Sequence, residues 1–212
     1  MSFQKETLRL YLVTGSYDFS EQSFLDKIEQ ACQSGVTMVQ LREKKLTTRA
    51  FYDLAIKVKK ITDAYKVPLL INDWVEVALA VDAAGVHIGD DELPVSCVRR
   101  LLGKDKIIGV SAKTVDRALQ AEAEGANYLG VGAIFPTQTK ETSLTPLERL
   151  SEIGAACQLP MVAIGGITSD NIEILKDIPI AGIAVVSEIM LARDIVQKCQ
   201  NLLSELDKRE FF

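Results

Sequence analysis

Four consecutive residues, Thr137, Gln138, Thr139 and Lys140, put two hydroxyls, an amide and an ammonium into one short stretch just after Pro136. Hydroxyls, exposed backbone N–H groups and a cation are what an enzyme needs to hold phosphate oxygens. Short motifs of this kind also arise by chance in solvated loops, so position decides what this one means. It leaves the end of Tyr128-Leu129-Gly130-Val131, a short apolar run that reads as a buried strand. Gly165-Gly166, again after an apolar run, offers backbone N–H groups with no side chains in the way.

Gln40 and Arg42 are two residues apart, so on a strand both leave one face while Val39 and Leu41 leave the other. If Val39 and Leu41 pack on helices, Gln40 and Arg42 point inward. An arginine on a buried strand needs a strong anionic partner; the alternative is a surface pair with Glu43. Asp73 and the run Asp90-Asp91-Glu92 have the character of a hard-cation site, since Mg²⁺ takes one or two carboxylates and keeps positions for water and phosphate oxygens. Asp90 and Asp91 also suit a solvated face. His87 is the sole histidine and stands among apolar neighbours, where a hydrogen-bonded core imidazole is expected rather than a catalytic base.

These residues need a scaffold that brings them together. Strands are predicted over residues 9–13, 36–41, 68–71, 85–88, 107–110, 128–131, 161–164 and 182–186. Helices are predicted over 20–34, 47–65, 75–81, from Pro94 onward, and over 114–124, 146–156, 171–176 and 194–206. QSGVTMV, AAGVHIG, EGANYLGV and IAGIAVV repeat one phrase: a helix end, a glycine and a short β-branched strand. Eight such alternations at about 25 residues each point to an α/β fold, a single (β/α)₈ TIM barrel over residues 1–212. A doubly wound open sheet is the alternative, weakened by the lack of G-x-G-x-x-G after the first strand.

In such a barrel the active site lies at the C-terminal ends of the strands. Polar residues gather there strand after strand. Gln40, Arg42 and Lys44 follow strand two; Asn72 and Asp73 follow strand three; Asp90, Asp91 and Glu92 follow strand four. Ser111, Lys113 and Thr114 follow strand five, the Thr137–Lys140 loop strand six, Gly165 to Thr168 strand seven, and Ser187-Glu188 strand eight. Two anion sites result: the glycine-rich end at strands seven and eight, and the group Arg42, Lys44 and Lys140 with a metal.

The chain carries 48% hydrophobic and 25% charged residues and a net charge of −5, so a general nucleic-acid binder is not expected and an anionic ligand must be captured by a local basic site or a metal. Cys32, Cys97, Cys157 and Cys199 form no C-x-x-C and read as buried free thiols of a reducing compartment. The N-terminus has no apolar signal core and no run suits a bilayer; a cytoplasmic protein without membrane attachment is expected, with a homo-oligomeric state left open.

QLREK (40–44), IND (71–73), GVHIG (85–89), GVSAKT (109–114), YLGVGAIFPTQTK (128–140), VAIGGIT (162–168) and AVVSEI (184–189) resemble, in order and over nearly the whole chain, the thiamine-phosphate synthase family. The resemblance implies a transferase that joins hydroxymethylpyrimidine diphosphate to thiazole phosphate, releasing pyrophosphate and forming thiamine phosphate, with Mg²⁺. It implies that Gln40, Arg42, Lys44, Asn72, Ser111 and Lys140 hold the pyrimidine and its diphosphate, with Arg42, Lys44, Ser111 and Lys140 as the catalytic set. Thr137, Thr139, Gly166, Val186 and Ser187 hold the thiazole phosphate, and Asp73 the metal, with Glu92 or its neighbour Asp91 as the second ligand. The suggested mechanism is dissociative, which fits a rim with cations but no nucleophile–base pair. Three positions depart from the family: Glu92 where its second metal aspartate stands, Lys113 where a histidine stands, and Trp74 where a polar residue is usual. A thiazole tautomerase of the same superfamily is the nearest rival, but it needs a catalytic histidine where Lys113 lies. A non-catalytic phosphate-ligand-binding barrel is the rival from another class.

Overall fold

Each strand of this chain packs on two faces, and its residues alternate between them. A computed structural model describes residues 3–15, 17–137, 139 and 143–208. The strands are β1 (Leu10–Val13), β2 (Met38–Leu41), β3 (Leu69–Asn72), β4 (Gly85–Ile88), β5 (Ile107–Ser111), β6 (Tyr128–Gly132), β7 (Met161–Ile164) and β8 (Gly182–Val185). All pair in parallel in chain order, and β1 closes on β8 through Leu10 opposite Ile183 and Leu12 opposite Val185. The (β/α)₈ barrel expected from the sequence is therefore the observed architecture.

The helices are α1 (Glu21–Gln33), α2 (Thr48–Ala64), α3 (Val75–Ala80), α4 (Val95–Leu102), α5 (Val115–Ala123), α6 (Leu147–Ala156), α7 (Ser187–Met190) and α8 (Ile195–Asp207). Ser20, Thr47, Thr114 and Asp194 cap α1, α2, α5 and α8, each accepting a backbone N–H three residues on. The helix predicted over 171–176 is a 3₁₀ turn, Ile172–Leu175. Only a short segment separates Gly166 from Pro179, and buried Ile172 and Leu175, three apart, suit the tighter helix as well as an α-helix. Among the described residues no helix is long and apolar enough to cross a membrane.

Two apolar cores follow from the alternation. Leu10, Leu12, Val39, Leu41, Ile71 and Val86 face outward onto the helices. Tyr11, Met38, Leu70, Ile107, Tyr128 and Val162 fill the barrel interior. A 3₁₀ turn before β1 (Lys5–Leu8) brings fully buried Leu8 into that interior, and Phe3 stacks on Tyr128 with ring centroids 6.1 Å apart. The N-terminal end of the barrel is thus packed. Cys32, Cys157 and Cys199 are buried free thiols and Cys97 is half-buried. Burial pushes Cys32 and Cys199 up to about 12, which makes both poor nucleophiles.

The interior has little slack around Tyr128. A Cβ placed on Gly109 of the adjacent strand would lie 2.1 Å from the Tyr128 ring, whose buried position leaves it nowhere to go. Gly109→Ala is therefore expected to destabilise the fold by about 1–3 kcal/mol, as overpacking of a dense interior does. The check is the urea midpoint, which should fall with an unchanged slope; equal midpoints for variant and parent would show room beside the ring.

Candidate active site

The open end of the barrel holds a cavity of about 330 Å³ at the C-terminal ends of the strands. On β2, Val39 and Leu41 pack against the helices, while Gln40 and Arg42 line the cavity, as their spacing requires. Thr14 fixes this strand end. Its fully buried hydroxyl accepts from the Arg42 backbone N–H at 2.9 Å and faces the Arg42 carbonyl at 3.3 Å, while its own N–H donates to the Gln40 carbonyl at 2.9 Å. Arg42 makes no ion pair among the described residues, so its guanidinium is available to an anion.

A chain of hydrogen bonds crosses the cavity floor. Gln40 Nε2 donates to Tyr11 Oη at 2.7 Å, and Tyr11 shares a hydrogen bond with Tyr128 Oη at 2.8 Å. His87 Nδ1 lies 2.9 Å from Tyr128 Oη, and His87 Nε2 lies 3.0 Å from Ser111 Oγ. Burial raises the pKa of the Tyr11 phenol well above its ordinary value, partly offset by the bonds from Tyr128 and Gln40. Tyr128 is likewise pushed up by burial first and by Tyr11 second. Both phenols are therefore neutral and each carries one hydrogen to place.

His87 is a hydrogen-bonded interior imidazole, in line with the sequence reading, and it also borders the cavity. The expectation of no nucleophile–base pair needs correction, because Ser111 and His87 are in contact. Their register explains it: His87 sits opposite Gly109, and Ser111 is the next inward residue along β5. The other ring nitrogen faces a neutral phenol instead of a carboxylate, so the pair lacks the anionic partner that stabilises an imidazolium in hydrolytic triads.

Asn72, Ser111, Thr137 and Thr139 line the cavity, as do Gly166, Val186 and Ser187. Gly165 and Gly166 both take positive φ (101° and 63°), and a Cβ on Gly166 would lie 2.4 Å from the Pro136 carbonyl. The strand-six loop can run over the strand-seven turn only because these are glycines. Asn171 ties the turn, donating to the Gly166 carbonyl and accepting from Thr168 N, both at 2.9 Å. Lys140 lies outside the described residues.

The acidic residues are arranged less simply than their order suggests. Asp73, at φ 67°, donates its N–H to the His87 carbonyl at 2.9 Å, and its carboxylate pairs with the Lys44 ammonium. Glu92 Oε2 accepts from Gly89 N at 2.8 Å, and Asp90 pairs with Arg117 at 2.8 Å. Asp90 and Asp91 border the cavity, whereas Lys44, Asp73 and Glu92 do not line it. No group of three or more His, Cys, Asp or Glu gathers as a metal cluster among the described residues. Sequence reasoning missed Tyr11 and Tyr128 as site residues. The available signal was a tyrosine at an inward strand position, whose hydroxyl must find a partner once buried.

The family model for thiamine monophosphate synthase matches residues 10–189. A thiamine-phosphate synthase of Enterococcus faecalis is 64% identical over 199 residues, covering 94% of this chain and 94% of its own. Thiamine-phosphate synthase 2 of Streptococcus pneumoniae is 60% identical over 205 residues, covering 95% of this chain and 97% of its own. The solved structure of thiamine phosphate pyrophosphorylase from Pyrococcus furiosus superposes with a TM-score of 0.85 at 32% identity, over 96% of this chain and 98% of that one. On this agreement of sequence, fold and cavity, the chain is an enzyme that belongs to the thiamine monophosphate synthase family.

Proposed function

We propose that the cavity joins hydroxymethylpyrimidine diphosphate to thiazole phosphate by dissociative loss of pyrophosphate, giving thiamine phosphate. The observation that carries this reading is the Arg42 guanidinium, which makes no ion pair among the described residues and lines the cavity beside the Gln40 amide and its hydrogen-bonded floor. Gln40 and Asn72 hold the pyrimidine ring. Arg42, Lys44, Ser111 and Lys140 take the diphosphate oxygens and favour the charge that builds on them as the C–O bond lengthens. The bonding electrons leave with pyrophosphate, the pyrimidine-methyl cation remains, and the thiazole nitrogen captures it. Thr137, Thr139, Gly166, Val186 and Ser187 anchor the thiazole phosphate on the loops after strands six, seven and eight, so that the nitrogen is already in place when the cation forms.

Mg²⁺ fits the donor set near this mouth. Asp73 and Glu92 offer hard oxygen ligands on the ends of adjacent strands, and Asp73 already faces a cation in the Lys44 ammonium. These two carboxylates would hold the ion, which when bound supplies charge neutralisation for the departing pyrophosphate. Both carboxylates have other partners in the structure, Lys44 for one and the Gly89 amide for the other, and each must exchange that partner for the metal.

Turnover of both substrates to thiamine phosphate with Mg²⁺ tests the reading. Isomerisation of thiazole phosphate alone would favour a tautomerase, and binding without turnover a ligand-binding barrel. Arg42→Ala is expected to lose about 2–4 kcal/mol of transition-state stabilisation, read from kcat/KM, with an unchanged unfolding midpoint; near-normal kcat/KM would remove Arg42 from the site. Asp73→Asn is expected to keep the fold, since its pair with Lys44, half-exposed on the lysine side, contributes about 0–1 kcal/mol. It should also keep thiazole phosphate affinity but lose the Mg²⁺-dependent rate. Initial rates against Mg²⁺ concentration decide, and parental saturation by the variant would sink the metal site as drawn.

A further inference from the structure

We infer that Tyr11, Tyr128 and His87 are positioning residues for the pyrimidine substrate: they set the orientation of the Gln40 amide and the direction of the Ser111 hydroxyl together. The inference rests on the proposed function, under which Gln40 and Ser111 meet the two ends of that substrate.

The hydrogens can be counted along the chain. Tyr11 Oη accepts from Gln40 Nε2, so its own hydrogen must go to Tyr128 Oη, its other partner among the described residues. The Tyr128 hydrogen then has to go to His87 Nδ1 at 2.9 Å. With Nδ1 accepting, the imidazole carries its hydrogen on Nε2 and donates it to Ser111 Oγ at 3.0 Å. The Ser111 hydroxyl hydrogen is left for the cavity, and so is Gln40 Oε1. Each assignment forces the next, because an unsatisfied hydroxyl in a fully buried site is costly.

The reverse polarity exists only with the Gln40 amide turned over. Ser111 would then donate inward to His87, and Tyr11 would donate to Gln40 Oε1. The cavity would meet an N–H donor at Gln40 and bare lone pairs at Ser111. The two polarities select opposite ligands. A pyrimidine bearing an N–H donor would offer it to Gln40 Oε1 while its diphosphate oxygens accept from Ser111, so the first polarity suits both ends of such a substrate and the second neither. The ring and its leaving group are thereby recognised as one unit across the floor. Gly109 and Gly130 make room for the relay, since a Cβ at Gly130 would come within 3.0 Å of the His87 ring and one at Gly109 would strike Tyr128.

His87 is the sole histidine, so in the tag-free chain ¹⁵N-labelled imidazole resonances report this ring alone. The expected result is the neutral Nε2–H tautomer in the free protein, retained when pyrimidine diphosphate binds. Tyr128→Phe should abolish that preference and lower kcat/KM for pyrimidine diphosphate by about tenfold, the loss of one buried hydrogen bond, with thiazole phosphate affinity unchanged. In the parent, Gln40→Ala and Ser111→Ala should combine to less than the product of their separate losses; in Tyr128→Phe the losses should multiply. The Nδ1–H tautomer or a doubly protonated ring in the free protein overturns the inference, as do multiplicative losses in the parent. Those parent measurements stand even if Tyr128→Phe fails to fold. An Nε2–H ring in a protein that does not bind pyrimidine diphosphate would uphold the relay and overturn the substrate assignment instead.

Discussion

Two phenol groups meet at 2.8 Å inside the barrel, Tyr11 from β1 and Tyr128 from β6, and the interior is arranged on either side of that contact. Leu8, Met38, Leu70, Ile107 and Val162 fill the space with the two rings as hydrocarbon. Gln40, Asn72, His87 and Ser111, inward residues near the ends of their strands, supply polar groups to the cavity. A barrel of this size must be filled by side chains, and a buried polar layer is tolerated only when its members satisfy one another. Tyrosine meets both demands at once, because its ring packs and its hydroxyl reaches the next partner. The glycines at 109 and 130 then follow from the rings and the imidazole they must accommodate.

Charge imposes a second constraint. The chain is negative overall at −5, yet under the proposed reaction it must attract and hold polyanions. The structure answers this locally. Asp90 is held by Arg117, and Asp73 by Lys44, while Arg42 points into the cavity with no carboxylate partner among the described residues. The Lys44–Asp73 pair is half-exposed on its lysine side, so it contributes little to stability and can be exchanged cheaply. An ammonium beside a carboxylate keeps that carboxylate from repelling an incoming diphosphate. The same pair leaves both groups close to where metal and phosphate oxygens are proposed to meet.

Periodicity made much of this legible in the sequence. The two-residue spacing of Gln40 and Arg42 placed both at the mouth, and eight alternations of strand and helix, four of them marked by the repeated glycine-strand phrase, pointed to the closed barrel. Other features depend on registration that no local pattern carries. Tyr11 and Tyr128 are 117 residues apart and meet because β1 and β6 are brought across a closed barrel. The Ser111–His87 contact needs the β4–β5 register, and the Lys44–Asp73 pair needs two strand ends whose side chains turn toward each other. The helix predicted over 171–176 failed for a local reason: two buried apolar residues three apart fit an α-helix and a 3₁₀ turn equally.

Closure also bears on the chemistry. The strand-six loop and the strand-seven turn touch backbone to backbone at Gly165 and Gly166, with Phe135 N donating to the Gly165 carbonyl at 3.0 Å. This contact ties the strand-six loop that carries Thr137 to the turn that carries Gly166. The residues proposed for the pyrimidine stand on β2, β3 and β5 and are joined through the floor at Gln40 and Ser111. Where these residues stand on strand ends, as Gln40, Asn72 and Ser111 do, their separation is set by ladder pairing around the barrel. A reaction whose cation must be captured as soon as it forms gains most from a fixed separation of that kind, because the nucleophile needs no search. On this view catalytic power comes mainly from a pre-set distance and pre-oriented dipoles, with no residue required to act as a nucleophile.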